Sequence, residues 1–250
     1  MKNRGEIILK PKKDESLHRF HPWVFSGAIA STSEGLQEGE VVKVLAADRT
    51  FLGVGHYQEG SISIRILSFE DEPIDRNFYI KRLSDAYHIR QKAGLIRPDN
   101  TIYRLVHGEG DNLPGLIIDI YDKTAVIQAH SVGMHKDRLL IVEALQEVVS
   151  SQTVAHIFYK SEATLSYTGD PEFQNEYLVG GENVNPVAVE NGLKFYIDWL
   201  RGQKTGFFID QRENRRLLGN YARDRRVLNM FCYTGGFSAY ALRGGAQQVD

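Results

Sequence analysis

The chain has 250 residues, 42% of them hydrophobic and 25% charged, which is the balance of a globular protein long enough for two cores. With 30 basic and 32 acidic residues the formal net charge is -2, so no global field draws it to nucleic acid and any such binding must come from local patches. One cysteine, Cys232, excludes an internal disulfide framework; no apolar run approaches a membrane span, and Met1-Lys2-Asn3-Arg4-Gly5-Glu6 lacks the core of a signal peptide, so a cytoplasmic protein with no membrane partner is expected.

Residues 7–10 read as a short strand stopped by Pro11-Lys12-Lys13, and residues 40–45, 51–57 and 61–67 read as further strands. The last alternates polar and apolar positions, and Gly53 and Gly55 suggest bulges or tight corners, so a small β-barrel is predicted. Lys10, Lys12, Lys13, His18, Arg19 and His21 lie beside Phe20, Trp23 and Phe25. Cations interleaved with aromatics suit RNA, which takes phosphate contacts together with base stacking. Lys10, Lys12, Lys13, His18, Arg19 and Trp23 are the candidate RNA-binding residues; the competing reading puts Trp23 and Phe25 in the core and leaves the lysines solvated. Lys10-Pro11, His18-Arg19, Pro22-Trp23-Val24-Phe25 and Gly53 to Tyr57 resemble the N-terminal RNA-binding PUA domain of the bacterial large-subunit ribosomal RNA cytosine methyltransferases and their archaeal relatives.

Residues 75–94 predict a helix with Asp75 as N-cap, Phe78, Leu83, Ala86 and Tyr87 near helical spacing, and Gly94 as the stop. Residues 103–121 predict a β-hairpin with turn signals at Asp111-Asn112 and Pro114-Gly115. A strand over 125–129, one amphipathic helix over 134–149 burying Leu139, Leu140, Val142, Leu145 and Val149, a strand over 155–160, and a hairpin over 187–197 turning at Asn191-Gly192 follow. His107, Glu109, Asp111 and Asp119 match no metal-ligand spacing and are read as turn residues, so no metal is expected. The run from Arg104 to Asp119 is similar to a signature of the same family, where it belongs to a linking domain of two hairpins around a helix.

Two runs near the C-terminus organise the rest. Residues 203–215, Gln-Lys-Thr-Gly-Phe-Phe-Ile-Asp-Gln-Arg-Glu-Asn-Arg, lead into a helix from about Asp210, with Asp210 and Glu213 in capping-box positions. Residues 227–237, Val-Leu-Asn-Met-Phe-Cys-Tyr-Thr-Gly-Gly-Phe, read as a buried strand, a Gly-Gly turn and a helix start, with a second parallel strand entering at 247–249. Glycines there let the backbone approach a ligand or take positive φ. Neither a phosphate-binding GxxxxGK[ST] loop nor a full GxGxxG is present, which argues against an NTPase and a standard dinucleotide oxidoreductase.

Taken together these two runs resemble the S-adenosylmethionine site of that family, and with the upstream segments in order the resemblance covers essentially the whole chain. It implies that Phe231, Tyr233, Thr234, Gly235, Gly236 and Phe237 line the cofactor, with Lys204, Thr205, Phe208, Asp210 and Arg212 closing over it. The expected fold is α+β and α/β: a PUA-like barrel over 1–73, a β-β-α-β-β linking domain over 74–200, and the start of a Rossmann-like domain over 201–250. Cytosine carbon-5 methylation needs an attacking thiolate. The family's nucleophile lies in a later motif, expected beyond Asp250, so Cys232 is read as a buried structural thiol. The resemblance predicts a ribosomal RNA methyltransferase, with a chain that lacks most of its catalytic domain, does not methylate RNA alone and binds the cofactor weakly or not at all. The apolar run 227–231 has no sheet to join and is expected to be loosely packed or paired with another chain, which leaves a homodimer open. The alternative is a non-catalytic RNA-binding or ribosome-assembly module.

Overall fold

The computed structural model describes residues 4–150, 153–165 and 173–250; Met1, Lys2 and Asn3 of the N-terminal reading lie outside them. The N-terminal unit contains β1 (Gly5–Leu9), α1 (Glu15–His18), β2 (Trp23–Phe25), β3 (Ile29–Thr32), β4 (Val41–Leu45), β5 (Phe51–Tyr57) and β6 (Ile62–Ser68). They form one sheet in the order β2-β6-β5-β4-β1-β3, parallel only between β1 and β4. Inward residues Ile7, Leu9, Val24, Val42, Val44, Ile64 and Ile66 gather with Leu17 in a single core, so the sheet curls around it. The pairing leaves β2 and β3 as edges, so the expected small barrel is a curled sheet whose two edge strands do not pair with each other. Gly55 sits at the bulge where β5 crosses β6: a Cβ there would lie 2.2 Å from the Arg65 carbonyl oxygen, so only glycine allows the strands to meet.

The central unit begins with α2 (Arg76–Lys92), whose N-terminus is closed by the Asp75 carboxylate accepting from Asn77 and Phe78 N–H. Gly94, at φ +66°, follows its end. Then come β7 (Ile102–His107), β8 (Leu116–Tyr121), β9 (Thr124–Ala129), α3 (Val132–Lys136), α4 (Arg138–Val148), β10 (His156–Tyr159) and β11 (Glu176–Val179), and the five strands pair in the order β11-β10-β9-β8-β7. Period-two alternation turns Leu116, Ile118, Ile120, Ala125, Ile127 and Ala129 to the face covered by α2 and α4, while Tyr121 and Val126 point to the other.

The single helix expected over 134–149 is two, because the chain breaks at Asp137. Its carboxylate accepts from Tyr79 Oη at 2.6 Å and His56 Nε2 at 3.0 Å, which fixes the backbone between α3 and α4. The new helical phase exposes Leu139 and buries Ile141 and Ala144 in its place. Strand β11 carries no clear periodic signal in the sequence.

The second face of the central sheet is covered by β12 (Val187–Glu190) and β13 (Leu193–Tyr196), a hairpin turning through Asn191 and Gly192 at φ +49° and +80°. This hairpin is a separate two-stranded sheet, not part of the central one, so the β-β-α-β-β expectation is corrected. Ala188, Phe195, Ile197, Trp199 and Phe207 bury against Tyr121, Val126 and Phe158. The chain ends with α5 (Arg212–Tyr221), β14 (Arg226–Val227), α6 (Gly236–Arg243) and β15 (Gln248–Val249), with β14 and β15 parallel.

The β-α-β order matches the reading, but the first strand is two residues long, not a buried run to Phe231. Flanking bonds from Gln247 N–H to the Arg225 carbonyl, Asp250 N–H to the Val227 carbonyl and Asn229 N–H to the Asp250 carbonyl extend the pairing no further than Asn229, and Leu228, Met230 and Phe231 are 70%, 66% and 95% exposed. The capping box is also absent: α5 follows a 3₁₀ turn over Ile209–Gln211, Asp210 accepts from the Gln211 side chain, and Glu213 pairs with Arg216.

The first two units are joined by polar contacts. Beyond His56–Asp137, the Trp23 indole N–H donates to Glu109 at 2.9 Å and Gln58 accepts from the Val132 N–H at 3.2 Å. Gly133 lies under the His56 ring; a Cβ there would sit 2.1 Å from its Cγ.

Candidate cofactor loop and RNA-facing surface

Two buried ion clusters hold the residue 203–208 loop. Asp119, fully buried on β8, receives both Nε and Nη2 of Arg104 at 2.8 and 2.9 Å. The Thr205 hydroxyl donates to the same carboxylate at 2.6 Å and accepts from Tyr121 at 2.8 Å. Burial first, and then Asp119, pushes the Tyr121 phenol far above its ordinary pKa. In the second cluster, Glu190 is fully buried and takes Arg215 Nε and Nη2 at 2.9 and 2.8 Å, Arg212 Nε at 3.4 Å, and the Tyr240 hydroxyl at 3.0 Å. Arg215 also lies over the Phe207 ring at 4.6 Å and donates to the Phe208 carbonyl at 3.0 Å. Burial, with Glu190 adding to it, pushes Tyr240 up to about 12.

These clusters decide which candidate cofactor residues face outward. Thr205 and Arg212 are buried, with their polar atoms spent inside the protein; Arg212 also donates to the Ile102 carbonyl at 2.5 Å. Lys204 and Asp210 are exposed and Phe208 is half-buried, and all three line a cavity of about 510 Å³ with Arg65, Arg104, Glu109, Gln128 and His130.

The two C-terminal runs meet through Tyr233. Its hydroxyl accepts from the Gln203 N–H at 2.9 Å, and its ring stands edge-on to Phe208 with centroids 5.2 Å apart. Phe231, Tyr233 and Gly235 all take positive φ, so the loop doubles back before α6. Around the position of a Gly235 Cβ there is no atom within 4 Å, whereas Gly236 is buried against the Arg215 side chain. Thr234 is exposed and Phe237 half-buried. An open glycine turn, N–H groups of a helix start without intrahelical acceptors, and aromatic faces at Tyr233 and Phe208 fit a cofactor carrying a carboxylate and an aromatic base. Cys232 is exposed on this loop, which corrects its reading as a buried structural thiol.

On the N-terminal unit, Lys10, Lys12, Lys13, His18 and Arg19 are exposed, with Lys10 Nζ donating to the Gly27 carbonyl and His18 bonded to Asp14. Trp23 is half-buried and its N–H is committed to Glu109. The rings presented to solvent are instead Phe20 and Phe25, 72% and 50% exposed, which stand in the sequence only as neighbours of the candidate residues. Their only signal is position within a basic run. Lys13, Trp23 and Phe25 border a second cavity of about 340 Å³.

Of the acidic residues around the β7–β8 turn, Asp111 holds Arg90, Asp119 holds Arg104 and Glu109 holds Trp23. Among the described residues no group of three or more His, Cys, Asp or Glu side chains could hold a metal ion, and no helix is long and apolar enough to cross a membrane.

A PUA-like domain family model matches residues 7–69, and a model described as S-adenosylmethionine-dependent methyltransferase matches residues 103–250. The ribosomal RNA large subunit methyltransferase I of Alteromonas mediterranea is 38% identical over 248 residues, covering 98% of this chain and 61% of that protein. Its namesake from Vibrio cholerae is 38% identical over 245 residues, covering 97% of this chain and 61% of the relative. The chain thus spans about three fifths of the length of the curated relatives it matches, at 61% in both cases. A Streptococcus mutans protein solved as a candidate SAM-dependent methyltransferase shares the fold at 23% identity and a TM-score of 0.80, covering 98% of this chain and 62% of that one. A candidate methyltransferase solved with SAH aligns at 23% identity and a TM-score of 0.81, covering 98% of this chain and 61% of its own. The methyltransferase match takes in residues 103–200 as well as the last fifty, so more of the chain belongs to the matched methyltransferase region than the reading of residues 201–250 alone allowed.

Proposed function

The chain belongs to the S-adenosylmethionine-dependent methyltransferase family and carries a PUA-like unit ahead of the methyltransferase match, and from that premise we propose that it supplies the RNA-binding and cofactor-facing part of an enzyme that methylates ribosomal RNA, at carbon 5 of a cytosine in the large-subunit RNA. The observation that carries this reading is the meeting of Tyr233 with Gln203 and Phe208, which brings the glycine turn and the residue 203–210 loop to one edge. S-adenosylmethionine, when bound, supplies an electrophilic methyl group. Gly235 and Gly236 let the backbone approach it, Tyr233, Phe237 and Phe208 offer apolar faces, and Lys204 and Asp210 supply charge at the open side. Phe231 and Thr234 lie at the exposed rim of the same turn. Thr205 and Arg212 act through the loop they brace.

In this reading residues 1–73 hold RNA through Lys10, Lys12, Lys13, His18 and Arg19, with Phe20 and Phe25 as stacking surfaces. Residues 74–200 brace the loop that meets the cofactor at 201–250. The test is a calorimetric titration of the chain with S-adenosylmethionine, beside Gly235→Val and Tyr233→Ala. Binding by the parent chain and a loss of about tenfold or more in both variants is expected; equal affinity in all three would remove the glycine turn from the site. Transfer of labelled methyl groups to large-subunit ribosomal RNA, with the label recovered on cytosine carbon 5, tests the reaction.

The exposed basic and aromatic face, remote in sequence from the glycine turn, favours a second reading as a non-catalytic RNA-binding or ribosome-assembly module. RNA affinity without cofactor affinity would select it.

A further inference from the structure

We propose that the cavity between the N-terminal sheet, the β7–β8 hairpin and the residue 204–210 loop seats one unstacked nucleotide of the RNA, with Arg65 and Lys204 on its phosphate, Gln128 on its base edge and Phe208 on its base face. The proposal rests on the reading of RNA as the substrate and assigns the place where the chain would select one nucleotide of it.

Three observations converge on this cavity of about 510 Å³, a size suited to a small ligand and too confined for a stacked duplex. The first is charge. Arg65, on β6, is half-buried, yet its only side-chain bond is a 3.4 Å contact to the neutral Gln58 amide. Lys204 also lines the cavity, and neither cation has an ion-pair partner among the described residues. Arg104, the third cation, is already neutralised by Asp119. Arg65 feels the charge of Glu109, which lines the same cavity, without forming an ion pair with it, and its planar guanidinium fork suits a phosphate. Loss of surrounding water, and then the charges of Lys204 and Arg104, push the nearby His130 imidazole below its usual pKa; Glu109 opposes them and Arg65 adds to them, so the imidazole reports the same positive field.

The second observation is Gln128. Its side chain lines the cavity, is only 5% exposed, and has no hydrogen-bond partner among the described residues. Buried carboxamides are normally satisfied. An amide offers a donor beside an acceptor, which is the pattern a cytosine or uracil edge presents in complement. The neighbours of Gln128 on β9, Ile127 and Ala129, face the helix-covered side, so the alternation of the strand aims Gln128 the other way.

The third is Phe208. One side of its surroundings is the cavity and the other is Tyr233 of the glycine turn, with ring centroids 5.2 Å apart. A base resting on Phe208 would therefore lie next to the candidate cofactor turn. RNA recognition by extruded, stacked bases uses this combination of an aromatic face, a polar edge reader and phosphate cations.

The test uses the full chain, cytidine 5′-monophosphate as probe, and the His130 imidazole resonances as readout, without S-adenosylmethionine. The nucleotide is expected to shift His130 and raise its pKa, because an added anion favours the imidazolium. Arg65→Gln should weaken binding about tenfold and Arg65→Lys much less, since a charge-assisted bond to phosphate disappears in one and is partly kept in the other. Gln128→Leu should weaken the nucleotide while leaving inorganic phosphate binding unchanged; Gln128→Glu, of the same shape, covers the case in which the leucine variant does not fold, and should weaken it as well. A His130 titration unmoved by the nucleotide, or nucleotide affinity indifferent to both Gln128 variants, would overturn the proposal. Failure to bind S-adenosylmethionine in the separate titration would instead sink the methyltransferase reading and leave this result standing.

Discussion

Thr205 donates its hydroxyl to the fully buried carboxylate of Asp119 across 2.6 Å and 86 positions of sequence. That bond ties the loop bearing Lys204, Phe208 and Asp210 to the central sheet, with Arg104 bidentate on the other side of the carboxylate. Replacing Thr205 with valine keeps the shape but strips Asp119 of a donor and leaves the buried Tyr121 hydroxyl without an acceptor. Thr205→Val should cost about 1–3 kcal/mol in urea unfolding, the usual range for an unsatisfied buried polar group, and Thr205→Ser much less. If valine and serine unfold at the same urea concentration, the hydroxyl does not hold the loop.

Glu190 is the corresponding anchor for α5 and α6. Its carboxylate is the shared acceptor for Arg212, Arg215 and Tyr240. Glu190→Ala leaves two buried guanidinium groups without a counter-charge, and breaking a buried pair in this way costs about 3–5 kcal/mol. Glu190→Gln, which keeps the acceptor oxygen, should fall between the parent and the alanine variant in a thermal melt. Equal melting temperatures for alanine and glutamine would mean that the carboxylate charge contributes nothing.

Local features of this architecture were readable from sequence because their causes are local. Asp75 caps α2 through the N–H groups two and three residues on, and Asn191-Gly192 turns its hairpin because both residues accept positive φ. The features that were not readable depend on partners far along the chain. A threonine inside a glycine-containing motif looks like a ligand until Asp119 is seen to claim it, and Arg212 looks free until Glu190 is placed behind it. The run 227–231 is apolar enough for a buried strand, but strand length is set by the neighbour, and β15 offers only two paired residues. A single helical phase over 134–149 places Leu139 in the core, and the break at Asp137 resets that phase. Trp23 is aromatic within a basic run, yet only the fold reveals that its N–H is held by Glu109.

Alkaline pH should unfold the protein through its buried phenols. Burial pushes Tyr159 and Tyr240 up to about 12 from an ordinary 10.0. Between these values the unfolded chain has released protons that the folded chain retains, so the unfolded state gains as pH rises. The stability contributed by the neutral phenols is therefore complete below pH ~10 and is lost progressively as pH climbs towards ~12. Phenolate absorbance followed beside circular dichroism should show these tyrosines ionising together with loss of secondary structure; full ionisation in a still-folded chain would contradict the burial argument.

Cys232 is the only cysteine of the chain and is exposed on the glycine turn, so it reports occupancy of that turn. A maleimide should alkylate it readily in the free protein, and saturating S-adenosylmethionine should slow the reaction about tenfold or more, because a ligand bound N times above its Kd leaves about 1/N of the protein open. Mass spectrometry gives the labelled fraction directly. Unchanged labelling at a cofactor concentration that calorimetry shows to be saturating would place the cofactor away from Cys232.

The basic face of the N-terminal unit makes the clearest electrostatic prediction. Lys12, Lys13 and Arg19 are exposed, and none has an ion-pair partner among the described residues, so each is free to meet a phosphate. Cations that meet phosphates release counterions, and removing one such cation flattens the plot of log affinity against log salt by about 0.7 for single-stranded RNA. The triple change Lys12→Gln, Lys13→Gln, Arg19→Gln should therefore weaken binding to a ribosomal RNA fragment and reduce that slope by about 2 if all three touch phosphate. Phe20→Ala and Phe25→Ala, which remove exposed rings from the same face, should lower affinity by about 1–3 kcal/mol per stacked base without changing the slope. Fluorescence anisotropy at several salt concentrations separates the two effects. A triple variant whose slope matches the parent would show that this face does not carry the RNA backbone, whatever its affinity.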